Sequence, residues 1–164
     1  MAKILISTSF FAKEDDSILD ALKARHRVIL NPFGRKLACA ELVELGVEAE
    51  GIIAGTETLD KDTLVKLPQL KVISRCGSGL DNVDLEMAKQ RGIKVYNTPF
   101  GPTKAVAELT VGLIIGLLRK ICFLDAELKS GKWDKGIGSL LCGKNIGIIG
   151  FGRIGKEVAR VLKT

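Results

Sequence analysis

Gly150, Gly152 and Gly155 are the residues whose type and spacing say most about chemistry. They form a G-x-G-x-x-G inside Ile146-Gly147-Ile148-Ile149-Gly150-Phe151-Gly152-Arg153-Ile154-Gly155-Lys156-Glu157-Val158-Ala159, between a short apolar run and the start of an amphipathic helix. In a dinucleotide site Gly150 would permit the tight turn out of a strand. Gly152 would let a pyrophosphate reach the backbone, and Gly155 would let helix and strand pack closely. The helix N-terminus would add unpaired N–H groups and the positive end of its dipole. Read without its surroundings, the motif is also compatible with a glycine-rich turn that binds nothing. The acidic residue that would grip the ribose, about 20 residues further on, lies past Thr164, the last residue of the sequence.

A second candidate is Ser74-Arg75-Cys76-Gly77-Ser78-Gly79, which follows a predicted strand. That location is the carboxyl edge of a sheet, where ligands of open α/β folds bind. Its glycines allow backbone N–H groups to converge on an anion, and Arg75 adds charge or a bidentate contact. Taken alone it is equally a plain turn, with Asp84 capping the helix that follows.

Short apolar runs alternating with helical patterns position these residues. Strands are expected at Lys3 to Ser7, Arg27 to Leu30, Gly51 to Ala54, Lys71 to Ser74 and Ile93 to Tyr96. Helices are expected at Glu14 to Ala24, Cys39 to Leu45, Thr63 to Leu67 and Leu85 to Gln90. That alternation predicts an α/β fold with a flavodoxin-like, doubly wound parallel sheet over residues 1–98. Asn97-Thr98-Pro99-Phe100-Gly101-Pro102 is the natural hinge. Residues 99–164 read as the start of a second domain: a long helix from Thr103 to about Ser130, a glycine-rich loop from Gly131 to Gly143, then the strand and helix of the opening motif.

Composition narrows the function. The chain has 164 residues, 46% of them hydrophobic, as a packed globular protein requires. Its net charge of +6 is spread without long like-charge runs and aromatics are few, which argues against nucleic-acid binding. Cys39, Cys76, Cys122 and Cys142 lack metal-ligand or redox spacing and read as buried free thiols in a reducing cytoplasm. The N-terminus has no signal-peptide pattern, and the apolar stretch Ala105 to Leu118 contains Glu108 and is too short to span a membrane.

Read together, Arg75 to Asp84, Asn97-Thr98-Pro99, Ala105-Val106-Ala107-Glu108-Leu109-Thr110, Gly131-Lys132-Trp133 and Gly147 to Ala159 resemble, in order and spacing, the NAD-dependent D-isomer-specific 2-hydroxyacid dehydrogenases. Within that family they are most similar to the phosphoglycerate dehydrogenases. The resemblance covers essentially the whole chain, as the N-terminal half of such an enzyme. It implies an NAD cofactor and a small 2-hydroxy or 2-oxo acid as substrate. The loop at Gly77, Ser78 and Gly79, with Arg75 beside it, would hold the substrate carboxylate, and Ser78 would also lie against the cofactor. Arg153 and Ile154, between Gly152 and Gly155, would contact phosphates and ribose. Residues 99–164 would begin a Rossmann domain, and Thr103 to about Gly143 would make homodimer contacts.

The family's catalytic Arg, Glu and His match nothing in this sequence, so no catalytic residue is assigned and the chain alone is expected to be inactive. His26, the only histidine, matches none of them and reads as structural or solvent-facing. An arginine that grips phosphate in some phosphoglycerate dehydrogenases is matched here by Gly55. The alternative reading is a non-enzymatic interaction module or corepressor-like relative on the same fold.

Overall fold

Five short runs, each rich in Ile, Leu or Val or bounded by small residues, form a single parallel sheet. They are β1 (Lys3–Ile6), β2 (Arg27–Leu30), β3 (Gly51–Ala54), β4 (Val72–Arg75) and β5 (Lys94–Asn97), in the spatial order β2-β1-β3-β4-β5. This is the flavodoxin-like order expected from the alternation. The computed structural model describes residues 1–163 and falls into two compact units, with the boundary between Phe100 and Gly101.

In the first unit the crossovers are α1 (Ser17–Lys23), α2 (Cys39–Gly46), α3 (Lys61–Val65) and α4 (Leu85–Gln90). Leu5, Ile52 and Ile73, from the three central strands, are buried together with Leu42, Leu64 and Ala88 of the helices and Leu67 just beyond α3. Each large side chain so buried contributes about 2 kcal/mol of transfer free energy. Local chemistry fixes the helix starts. Asp60 Oδ1 accepts from the Thr63 N–H and Asp84 Oδ1 from the Met87 N–H, both at 2.9 Å, so Asp84 is the expected N-cap. Helix α1 starts later than expected, because the Asp15 carboxylate accepts from the Ser17 N–H at 2.9 Å and holds residues 14–16 outside it.

The second unit contains α5 (Thr103–Leu118), α6 (Ile121–Lys129) and α7 (Arg153–Leu162). The single long helix expected from Thr103 to Ser130 is two helices, because Lys120 adopts a left-handed backbone (φ 55°) that no α-helix continues through. Helix α7 lays its apolar face on α5, burying Gly155 and Val158, and Ala107 of α5 is buried as well. Residues 130–152 are irregular, tied back where the Ser139 N–H donates to Leu118 O at 2.8 Å. The strand expected over Ile146 to Ile149 does not form. No strand lies beside it among the described residues, so its backbone has no ladder to join, and Ile149 is fully exposed. The four cysteines, expected to be buried, are all exposed and unbridged. Each sits in a loop or on an outer helix face, away from the strands that fill the core.

Candidate functional site

Parallel register aligns the carboxyl ends of the strands. Ala54, Arg75 and Asn97 stand side by side across β3, β4 and β5, and the loops that leave them share one edge of the sheet. The loop after β4 is held there by a set of specific bonds. Gly77 takes φ 146°, a conformation side chains rarely adopt, and its N–H donates to Thr98 Oγ1 at 2.9 Å while its carbonyl accepts from the Thr98 N–H at 3.0 Å. Asn97 Nδ2 donates to Ser78 O at 2.8 Å. In a trans peptide the N–H points opposite the C=O, so fixing Ser78 O toward Asn97 turns the Gly79 N–H the other way. The N–H groups of Ser78 and Gly79 have no hydrogen-bond partner among the described residues.

Of the predicted anion loop, therefore, Ser78 and Gly79 present free donors, while the Gly77 N–H is committed to Thr98. Arg75 folds over the loop. Its Nη1 donates to Cys76 O at 2.9 Å and lies only 1.1 Å from where a Gly77 Cβ would be, so that glycine also makes room for the guanidinium. Arg75 Nε is buried without a partner. Cys76, between them, is no activated nucleophile: desolvation pushes its thiol pKa up, Arg75 pulls it down less, and the Glu57 carboxylate adds to the rise.

Beside this loop, between the carboxyl ends of β1 and β3, an open cavity of ≈ 400 Å³ is lined by Thr8, Phe10, Lys36, Gly55, Glu57 and Cys76, among others. In the 2-1-3-4-5 strand order this is the topological switch point. Glu57 is only 2% exposed, and its Oε2 accepts from the Gly55 N–H at 2.7 Å. Asn82 Nδ2 pins the same turn through Gly55 O (3.3 Å) and Glu57 O (2.6 Å). His26 precedes β2 and so stands at the opposite, amino edge of the sheet, with Nδ1 buried and unpartnered. It is remote from this chemistry.

In the second unit the three glycines have three separate reasons. Gly150 has φ 91°, as a sharp turn demands. A Cβ on Gly155 would lie 2.3 Å from Gly150 O, so only glycine lets α7 approach the preceding segment. A Cβ on Gly152 would meet nothing within 4 Å, leaving open space in front of the backbone at the start of α7. Gly152 is the N-cap and makes no side-chain cap, and Arg153 and Ile154 form the first turn. Space, positive φ and a helix start without a side-chain cap fit a diphosphate.

The spacing of residues singled out both glycine loops. It did not single out Asn97 and Thr98 as clamps, although both stand in the quoted Asn97-Thr98-Pro99. Thr8, Glu57 and Asn82 gave no signal, because only the folded turn brings them together.

This fold and these loops are those of the dehydrogenases that act on 2-hydroxy acids. The chain belongs to the D-isomer specific 2-hydroxyacid dehydrogenase family: residues 4–159 match the model of that family's catalytic domain. It is 41% identical over 151 residues to D-3-phosphoglycerate dehydrogenase of Rattus norvegicus, covering 87% of this chain and 28% of the relative. It is 38% identical over 163 residues to hydroxypyruvate reductase of Thermotoga maritima, covering 84% of this chain and 52% of the relative. Among solved structures, the NAD+-bound 3-phosphoglycerate dehydrogenase of Entamoeba histolytica superposes with a TM-score of 0.74 at 30% identity, over 99% of this chain and 50% of that one. The chain thus spans about a quarter to a half of the length of these relatives. Members of the family are oxidoreductases, and no helix among the described residues is long and apolar enough to cross a membrane.

Proposed function

We propose that this chain is the N-terminal portion of a cytoplasmic, homodimeric, NAD-dependent D-2-hydroxyacid dehydrogenase similar to the phosphoglycerate dehydrogenases. In that reading residues 1–98, within the first unit, are the substrate domain that binds a 2-hydroxy or 2-oxo acid, and residues 99–164 begin the cofactor domain. The observation that carries it is the pair of unengaged N–H groups at Ser78 and Gly79, fixed by Asn97 and Thr98 on the carboxyl edge of the sheet. Two backbone donors in that position suit a carboxylate, and Arg75 supplies a compensating charge at the same loop. At the start of α7, Gly150, Gly152 and Gly155 would hold the NAD diphosphate, with Arg153 and Ile154 against phosphate and ribose. When bound, the nicotinamide would supply hydride exchange with the substrate's C2. In this reading the chain's own residues bind and orient.

Homodimer contact is supported by Leu109, Leu113 and Leu117, one turn apart along α5 and 61%, 64% and 81% exposed. Light scattering at micromolar concentration tests it, a monodisperse monomer counting against it. NAD titration of the chain and of Gly152→Val tests the cofactor assignment. Weak binding is expected in the parent and none in the variant, since valine fills the space at the backbone. Equal, real binding by both would remove that assignment. The 164-residue chain should show no nicotinamide-dependent turnover of hydroxypyruvate, glyoxylate or phosphohydroxypyruvate. A proton donor of suitable pKa is worth roughly 10²- to 10⁴-fold in such a step, and His26 stands at the wrong edge of the sheet.

A further inference from the structure

We infer that Glu57 makes the switch-point cavity a site for an uncharged, hydroxyl-bearing substrate tail and sets it against a phosphorylated one. The inference rests on the anion-loop reading above, which places the substrate carboxylate at Ser78 and Gly79. Cys76 adjoins that loop and also lines the cavity, so the rest of a short 2-hydroxy acid extends toward Glu57 and Thr8.

The cavity owes its charge to a tightly built turn. A Cβ on Gly55 would lie 3.0 Å from Thr8 Cβ, 3.1 Å from Thr8 Oγ1 and 3.2 Å from Glu57 Oε2. A side chain at position 55 would make Thr8 or Glu57 give way, and glycine there leaves the Glu57 carboxylate its place. This chain has the carboxylate. The Gly55 N–H holds it directly, and Asn82 pins the backbone of the turn that carries it through Gly55 O and Glu57 O, so it does not swing away when an anion arrives.

Lys36 is the one cation among the described lining residues, and the two charges are not equivalent. Lys36 is exposed on a flexible stem, whereas Glu57 is 2% exposed and anchored. The charge in water is screened several-fold more than the charge within protein, so the fixed carboxylate dominates what a tail encounters. Neighbouring Arg35 does not alter that balance: its guanidinium makes a two-pronged pair with Glu41, at 2.9 and 2.7 Å. For a hydroxyl the same walls are complementary. The carboxylate accepts from it, and the Thr8 hydroxyl donates or accepts. Glycerate and hydroxypyruvate carry such a tail; their 3-phosphorylated counterparts place a dianion against Glu57.

Amide NMR titration of the 164-residue chain with D-glycerate and with 3-phospho-D-glycerate tests this, because residue-specific shifts register weak binding. Both ligands are expected to move Ser78 and Gly79. D-glycerate is expected to move Gly55 and Thr56 as well, saturating at about tenfold lower concentration than the phosphorylated acid. That order runs against the chain's positive net charge, so nonspecific attraction cannot produce it. Glu57→Gln, which keeps an acceptor for the Gly55 N–H, should close the gap. Lys36→Met should lower the affinity for the phosphorylated acid by a smaller factor than Glu57→Gln raises it.

If 3-phospho-D-glycerate binds as tightly as D-glycerate or tighter, or if Lys36→Met selectively abolishes its binding, the inference is overturned while shifts at Ser78 and Gly79 keep the anion loop standing. If neither ligand moves Ser78 and Gly79, the anion-loop reading falls, and this inference with it.

Discussion

The two glycine loops differ in what holds them. The loop after β4 leaves a strand with neighbours on both sides and is clamped by Thr98 and Asn97, so its free donors at Ser78 and Gly79 are aimed before any ligand arrives. The motif at Gly150 leaves a segment with no ladder among the described residues, yet α7 is formed and seated on α5. A site at a sheet edge is as finished as the strands around it. A site at a helix start needs only the helix and room in front of it.

If α7 is kept in place by close approach rather than by a sheet, Gly155→Val should be the most damaging change. Its Cβ would meet Gly150 O, and backbone overlap of that kind costs on the order of 3 kcal/mol. Loss of cooperative unfolding of the second unit in urea would be the expected readout, and an unchanged midpoint would mean that α7 is not held as described. Gly77→Val tests the other loop. Arg75 can be pushed aside, but φ 146° remains, at a cost of about 2 kcal/mol, and the anion loop should lose its ligand-induced shifts. A variant that binds as before would show that the loop's conformation is not required.

Asp84→Ala removes the cap that orients α4 just beyond the anion loop, and should lower the denaturation midpoint by the equivalent of ~1 kcal/mol without altering α7. The smallest effect is expected from acid. The Arg35 guanidinium, with the Ala38 N–H, holds the Glu41 carboxyl at about 2 instead of its ordinary 4.5. A group depressed in the folded state stabilises fully above its unfolded value, and that stabilisation disappears as pH falls through the folded one. The stability gap between the parent and Glu41→Gln should therefore be constant above pH 4.5 and shrink toward pH 2. A gap that persists there would mean that the pair is not formed.

Much of this was legible from periodicity and turn chemistry. Each strand of the first unit was placed to within a residue at each end, since buried parallel strands must be short apolar runs between breakers. The family was carried by motifs in order. What escaped the sequence depended on long-range geometry. Nothing local marks Lys120 as left-handed inside an apolar helical pattern, and an apolar run such as Ile146 to Ile149 promises a strand only if another strand pairs with it. Glu57 reads as one more surface acid until Gly55 N–H and Asn82 fold the turn around it. The exposure of the thiols was missed for a similar reason: cysteine's usual preference for burial does not say which face of a helix or loop it occupies.

The strand order also carries a consequence for how the protein is made. Apart from β1 with β3, every pair of adjacent strands is also consecutive along the chain, so a polypeptide emerging from the ribosome can add strands to the sheet nearly in the order of synthesis. Strand β5 is the last to arrive, and it ends in Asn97, with Thr98 directly after it. Until those two residues are in place the nascent sheet already has most of its core, but the loop from Gly77 to Gly79 has neither of its clamps. On the proposed assignment of that loop, binding competence would come at the end of this unit's assembly, and a chain stalled before β5 would look folded to a probe of secondary structure while remaining blind to substrate.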